Sequence, residues 1–396
     1  MRFTILDGFR GWFLFFMMIA HINGLLQAPL GHVNHHAFGW VEDAQGFVFL
    51  SGLVMAMVYG RKLLKYGEGV MTRGLLGRAG LIWRYQAGLV LFFLALALAL
   101  PMLGIPATIL RQQTAEPVVF SAASLMLVTG TIHMGILPMY VWFVLATPFV
   151  LRQFHAGRAP AVFAGSAFLW LLAQTSLPDQ AQLPIEAALA AMGHPINIGI
   201  YFNVFGWQVL FLGGLWLGWL LANDRLDLSV LRSPVMAQVF WIALAGFLLL
   251  GALDVISRTG ALGQDYARWV FPTIDRGNLH IVYLTAFAID LYLVTWLVVA
   301  GRDSGWRGLA WAGAAITWLF TRPPLVMLGR HSLQVFVAHV LAVYALEIVM
   351  EGQDVPALPV WARNLILLAM TLPLFAVAWV RDRRRAAAPA RRTAAA

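Results

Sequence analysis

LDGFRGWFLFFMMIAH, residues 6–21, is an apolar run interrupted near its start by Asp7 and Arg10 and at its end by His21. Read as a helix, the eleven steps from Arg10 to His21 turn by about 1100°, within roughly 20° of three full turns, so both side chains leave one face. At about 1.5 Å per residue they stand about 16 Å apart along the axis, one near a membrane surface and one toward the interior. Asp7 shares that face and precedes Arg10 by three residues, the spacing of an ion pair. Arginine at a helix end can simply snorkel to the interface. Three aligned polar groups in an otherwise apolar helix are too costly in lipid for that reading and point to function.

The rest of the chain repeats the apolar part of this pattern. Of 396 residues, 61% are hydrophobic and 11% charged. The apolar residues come in blocks of about 17–25, the length that crosses a bilayer. Strand-like alternation is almost absent and helices apolar on all faces recur, which excludes a soluble core and predicts an all-α polytopic membrane protein. Ten spans are expected, at residues 8–28, 44–60, 80–103, 134–152, 159–175, 200–222, 235–253, 280–300, 332–350 and 360–380. Apolar stretches at 119–131 and 309–320 are too short to cross and are expected to lie at the interface or re-enter.

With the N-terminus inside, cytoplasmic segments hold 20 of the 27 Lys and Arg, and outer segments only Arg111, Arg258, Arg268, Arg276 and Arg363. That asymmetry predicts an even helix number with both termini cytoplasmic. The net charge of +9 is thereby a topology signal, and no aromatic-basic module accompanies it that would bind nucleic acid. No small-residue cleavage site follows the first run, which is expected to be a retained helix. Residues 1–382 read as one transmembrane domain and the Ala/Arg/Pro tail, 383–396, as disordered. The absence of cysteine leaves His, carboxylate and hydroxyl groups to carry any chemistry.

Several further polar groups interrupt the spans. In the second, GFVFLSGL (residues 46–53) places Ser51 and Gly52 in an apolar helix, where small residues favour close packing. The basic loop from Arg61 to Arg84, with Arg73 and Arg78 between, reads either as a topology and lipid-contact feature or as a phosphate-binding surface for an anionic donor. Asn203 and Gln208 fall in the sixth span and Asp290 in the middle of the eighth. The ninth opens with Arg330, His331, Ser332 and Gln334 and places His339 seven residues after Ser332, on the same face. His32, His35 and His36 lie in an outer segment with Glu42 and Asp43 nearby; a solvated loop accounts for them, and no metal site is expected.

These motifs have a family likeness. Leu6–His21, Asp43–Gly52 (DAQGFVFLSG), Asn203–Phe211 (NVFGWQVLF) and Leu328–His339 (LGRHSLQVFVAH) resemble the OpgC family within the acyltransferase-3 superfamily, over about residues 3–350. That superfamily carries an Arg, ten intervening residues and a His in its first helix, which maps onto Arg10 and His21 without a gap. Its arginine cluster near a proline at the start of helix three corresponds to Arg78 and Arg84, although no proline follows Arg84. The resemblance implies a ten-helix bacterial inner-membrane enzyme transferring an acyl group from cytoplasmic acyl-CoA to a glycan hydroxyl outside. For OpgC proteins this is succinylation of osmoregulated periplasmic glucans.

On that reading His21 is a general base or a transient acyl carrier, and Arg10, paired with Asp7, positions the donor. Arg73, Arg78, Arg84 and Ser51 would contact the donor. Ser332, Gln334, His339, Asn203, Gln208 and Asp290 would bind the acceptor or stabilise the oxyanion. Acyl-CoA enters as a substrate, no cofactor is tightly bound, and lipid and glucan are the remaining partners. The rival reading is a proton-coupled transporter or flippase relaying through Arg10, His21, Asp290 and Glu347. It lacks the internal repeat common in such folds, since helix one has no counterpart five helices later.

Overall fold

The computed structural model describes residues 4–175, 177–261 and 263–393. Among these residues the chain is helical, with one isolated bridge between Thr129 and Gly199 and no strand. The helices are α1 (Thr4–Leu26), α2 (Asp43–Tyr66), α3 (Glu68–Met102), α4 (Ile136–His155), α5 (Ala159–Ala173), α6 (Leu177–Ala191), α7 (Val204–Ala222), α8 (Pro234–Thr259), α9 (Ile281–Val299), α10 (Arg307–Phe320), α11 (Pro323–Arg330), α12 (Ser332–Met350), α13 (Val360–Ala369) and α14 (Leu372–Thr393). Shorter helices at Arg111–Ala115, Pro117–Leu125 and Gln264–Thr273 lie in the connections.

Nine helices among the described residues are long and apolar enough to cross a membrane: α1–α4, α7–α9, α12 and the run Val360–Arg385 through α13 and α14. These coincide with nine of the ten expected spans. The remaining one, 159–175, falls on α5, which has 15 residues and reaches spanning length only jointly with α6, from which it is bent by 63°. Pro178 occupies the second position of α6, where its missing N–H costs nothing, so the chain starts a new helix there instead of continuing the old one. The two short apolar stretches form no span: Pro117–Leu125 has 9 residues and α10 has 14.

The segment expected as a basic loop, Arg61–Arg84, is instead two helix ends. Helix α2 continues to Tyr66, Gly67 turns with φ of 81°, and α3 then runs for 35 residues. Lys, Arg, Leu and Met are good helix formers, and only the glycine breaks the run, in a conformation that other residues avoid. The expected disordered tail likewise continues α14 as far as Thr393, with residues 394–396 outside the described part. Ala and Arg favour that extension.

Two close helix contacts frame the interior. Helices α2 and α7 run parallel; a Cβ on Gly52 would lie 2.2 Å from the Phe211 carbonyl oxygen, and one on Gly214 2.0 Å from that of Phe49. Helices α1 and α11 touch in the same way, with Gly329 packed where a Cβ would meet the Asp7 carbonyl oxygen at 1.8 Å. Backbones meeting this closely gain contact that lipid cannot offer. The second contact delivers the start of α12 to Arg10.

Candidate active site

Helix α1 is unbroken, so the three-turn spacing is realised, and both ends of its polar face meet α12. Arg10 donates a hydrogen bond to the Ser332 hydroxyl, stands 4.0 Å from Asp7 and lies 5.8 Å from the Phe47 ring centre. Arg10, Ser51, Arg78, Tyr140 and Ser332 line a cavity of about 250 Å³. Arg10 and Arg78 also border a second cavity, of about 500 Å³, with Arg61, Arg330 and Arg385. Among the described residues Asp7 is the only carboxylate on that wall. Five guanidinium groups around one opening attract an anion and match phosphate oxygens in pairs.

Helical phase decides which of the expected basic residues reach this opening. Met71, Leu75, Ala79 and Ile82 are the buried face of α3, and Arg78 lies beside them. Arg73 and Arg84 lie on the exposed side and line neither cavity; the Arg84 Nε–H donates to the Gly80 carbonyl of its own helix.

At the other end of the face three histidines converge. His21 Nδ1 is 2.8 Å from His339 Nε2, with the rings stacked at 4.9 Å and 24°. His133, from the connection before α4, places its ring 4.4 Å from that of His21. Tyr344 stands 6.1 Å from His133 and stacks on Phe93 at 4.1 Å, and its hydroxyl neighbours that of Thr131. Phe336 packs edge-on against His339 and also lines the smaller cavity, so it stands between that cavity and the histidines.

A hydrogen bond between two neutral imidazoles needs an N–H on one ring and a lone pair on the other, which fixes complementary tautomers. His339 is fully buried, and its Nδ1 has no hydrogen-bond partner among the described residues. Burial pushes the His133 imidazole down to about 4, so it is neutral at physiological pH. Nothing in the sequence marks His133: it lies in a connection, where no helical period relates it to His21.

The other polar residues singled out from the sequence tie helices together away from the histidines. Gln334 donates to the Tyr85 hydroxyl at 3.0 Å, joining α12 to α3. Asn203 caps α7 through Phe205 N–H and donates to Asn278 at 2.8 Å. Gln208 accepts from the Ser166 hydroxyl at 2.7 Å and donates to its carbonyl at 2.9 Å, joining α7 to α5. Asp290, half-buried on α9, lines neither cavity.

Comparison with curated proteins and with solved structures finds no match. A family model described as "OpgC protein" does match, over residues 2–386, which take in the polar face of α1, its partners on α12 and all five arginines of the larger cavity. By that match, essentially the length of the chain, the protein belongs to the OpgC family.

Proposed function

We propose that this chain is a membrane-embedded O-acyltransferase that moves an acyl group, succinyl, from cytoplasmic acyl-CoA to hydroxyls of periplasmic glucans across the bacterial inner membrane. Membership of the OpgC family suggests an acyltransferase-like role in glucan modification. The observation that carries the finer reading is the pairing, on one face of α1, of an arginine-lined cavity at Arg10 with the imidazole pair His21–His339 about three turns away. Such a face suits a donor with an anionic head and a long thin arm ending in a thioester. Arg10, Arg61, Arg78, Arg330 and Arg385 would hold the phosphates, with Ser51 and Ser332 along the arm.

One of the two tautomer pairs open to this contact suits general-base chemistry. With Nδ1–H of His21 donating to His339 Nε2, His21 Nε2 carries a lone pair and His339 Nδ1 a proton. His21 Nε2 takes the proton of a glucan hydroxyl as its oxygen attacks the thioester carbonyl. His339 Nδ1–H faces the developing oxyanion. Collapse breaks the C–S bond, and the proton on His21 passes to the departing thiolate, leaving an ester and free CoA. His133, neutral and beside His21, contacts the acceptor.

The test is mass spectrometry of periplasmic glucans from cells carrying His21→Ala at normal membrane levels. Loss of acylation is expected; persisting acylation would remove His21 from the mechanism. Purified protein with succinyl-CoA and glucan should release free CoA, and a transporter would release none.

A further inference from the structure

The connection between α1 and α2 turns back along α1, seating the His35 ring 5.5 Å from that of Phe16 and 6.3 Å from those of Phe13 and Trp12. Phe16 is ten residues short of the end of α1, about 15 Å along its axis. Trp12 and Phe16 leave the helix about 200–240° from Arg10, so this flank faces away from the histidine chamber. On it, His35 and His36 meet Asp43, the first residue of α2. His35 Nε2 lies 3.2 Å from one Asp43 oxygen and His36 Nε2 2.8 Å from the other, and the three groups offer ligand atoms all within 4.8 Å of one another.

The contacts are not ordinary hydrogen bonds. The Asp43 side chain is 2% exposed, and its oxygens meet no well-directed donor among the described residues, only the two close imidazole contacts. His36 Nε2 also lies 3.2 Å from the backbone nitrogen of Asp43, whose N–H it can accept, so in the neutral ring this nitrogen carries the lone pair. Neither nitrogen of His35 has a hydrogen-bond partner among the described residues. A buried carboxylate without donors is expensive and calls for a counter-charge. With the two imidazole lone pairs beside it, it makes up three donors of the kind a Zn²⁺-type ion takes, leaving a fourth position to water. Ligand atoms around such an ion, at bonds of about 2.1 Å, stand roughly 3–3.5 Å apart, close to the 3.2 and 2.8 Å of the two His–Asp contacts, and all three ligand atoms lie within 4.8 Å of one another.

We propose that His35, His36 and Asp43 form a divalent transition-metal site, of the imidazole-preferring Zn²⁺ class, that pins the α1–α2 connection to the flank of α1. The histidine side chains are 26% and 16% exposed, so an ion can enter. The proposal stands whether or not the chain transfers acyl groups.

The test uses full-length protein without a histidine tag, purified in detergent, stripped with a chelator and equilibrated with Co²⁺. The expected result is one retained equivalent with visible d–d absorption, displaced by Zn²⁺, and a higher Tm on adding either ion. His35→Ala/His36→Ala should lose all three signals, and His32→Ala, in the same connection but outside the cluster, should keep them. Substoichiometric Co²⁺ without d–d absorption in the wild-type protein, or retention unchanged in the double variant, overturns the proposal. The wild-type spectrum decides even if the double variant misfolds.

Discussion

His21 and His339 hold complementary tautomers only in each other's presence, so removing one changes what the other can do. His339→Ala leaves His21 Nδ1–H without its acceptor and deletes the proposed oxyanion donor. The expected effect is a fall in kcat of about 10²-fold or more with the KM for acyl-CoA little changed, read as CoA release. His133 offers a pH test. Its folded pKa, lowered to about 4 by burial, lies below the unfolded value, so the unfolded chain binds the extra proton first as pH falls. His133 therefore contributes stability above the unfolded pKa that is lost as pH drops toward 4. In His133→Gln the fall in Tm between pH 6.5 and 4 should be shallower; an unchanged slope would mean that another group controls it. The Arg10 and His21 alignment is legible because helical phase is local. His133, and the meeting of Asp43 with His35 and His36, depend on how connections fold back onto helices, which no periodicity encodes.

Among elements, the contact of α1 with α11 sets the register of the site. Gly329 sits against the Asp7 carbonyl, and the chain enters α12 three residues later with Ser332 beside Arg10. Gly329→Ala places a methyl group 1.8 Å from a backbone oxygen, which cannot yield as a flexible side chain would. Overpacking of this kind should cost about 1–3 kcal/mol and weaken donor binding by moving Ser332 away from Arg10. Gly88→Ala in α3, where the new methyl would meet nothing within 4 Å, should be neutral or slightly stabilising. Thermal unfolding in detergent, with the donor KM for each variant, separates the two cases. Element positions were readable because 17–25 apolar residues have few alternatives in lipid. Element ends were less so: charged residues beyond the span read as a loop although they continue α2 and α3 as helix.

At the scale of the molecule, the number of crossings fixes on which side everything after α4 lies. His155 at the end of α4 packs its ring 5.9 Å from Trp219, near the end of α7. The start of α7 is held at the opposite end, where Trp207 donates to the carbonyls of Arg276 and Gly277, and Arg276 pairs with Glu42 at the head of α2. Residues 156–203 must therefore travel from one end of the bundle to the other, and among the described residues the bent pair α5–α6 is the only helical path between. If this pair crosses once, the nine spanning helices become ten, the even number expected from the lysine and arginine asymmetry. The chain has no native cysteine, so single replacements report cleanly. In intact cells a membrane-impermeant maleimide should label Gln112→Cys, before the pair, and Gln353→Cys, after it, while Lys65→Cys should react only once the membrane is opened. If Gln112→Cys is labelled and Gln353→Cys is protected, the pair does not cross. The helices after it would then be inverted, and Arg330 would stand on the opposite side from Arg61, which the shared cavity forbids for a donor entering from one compartment.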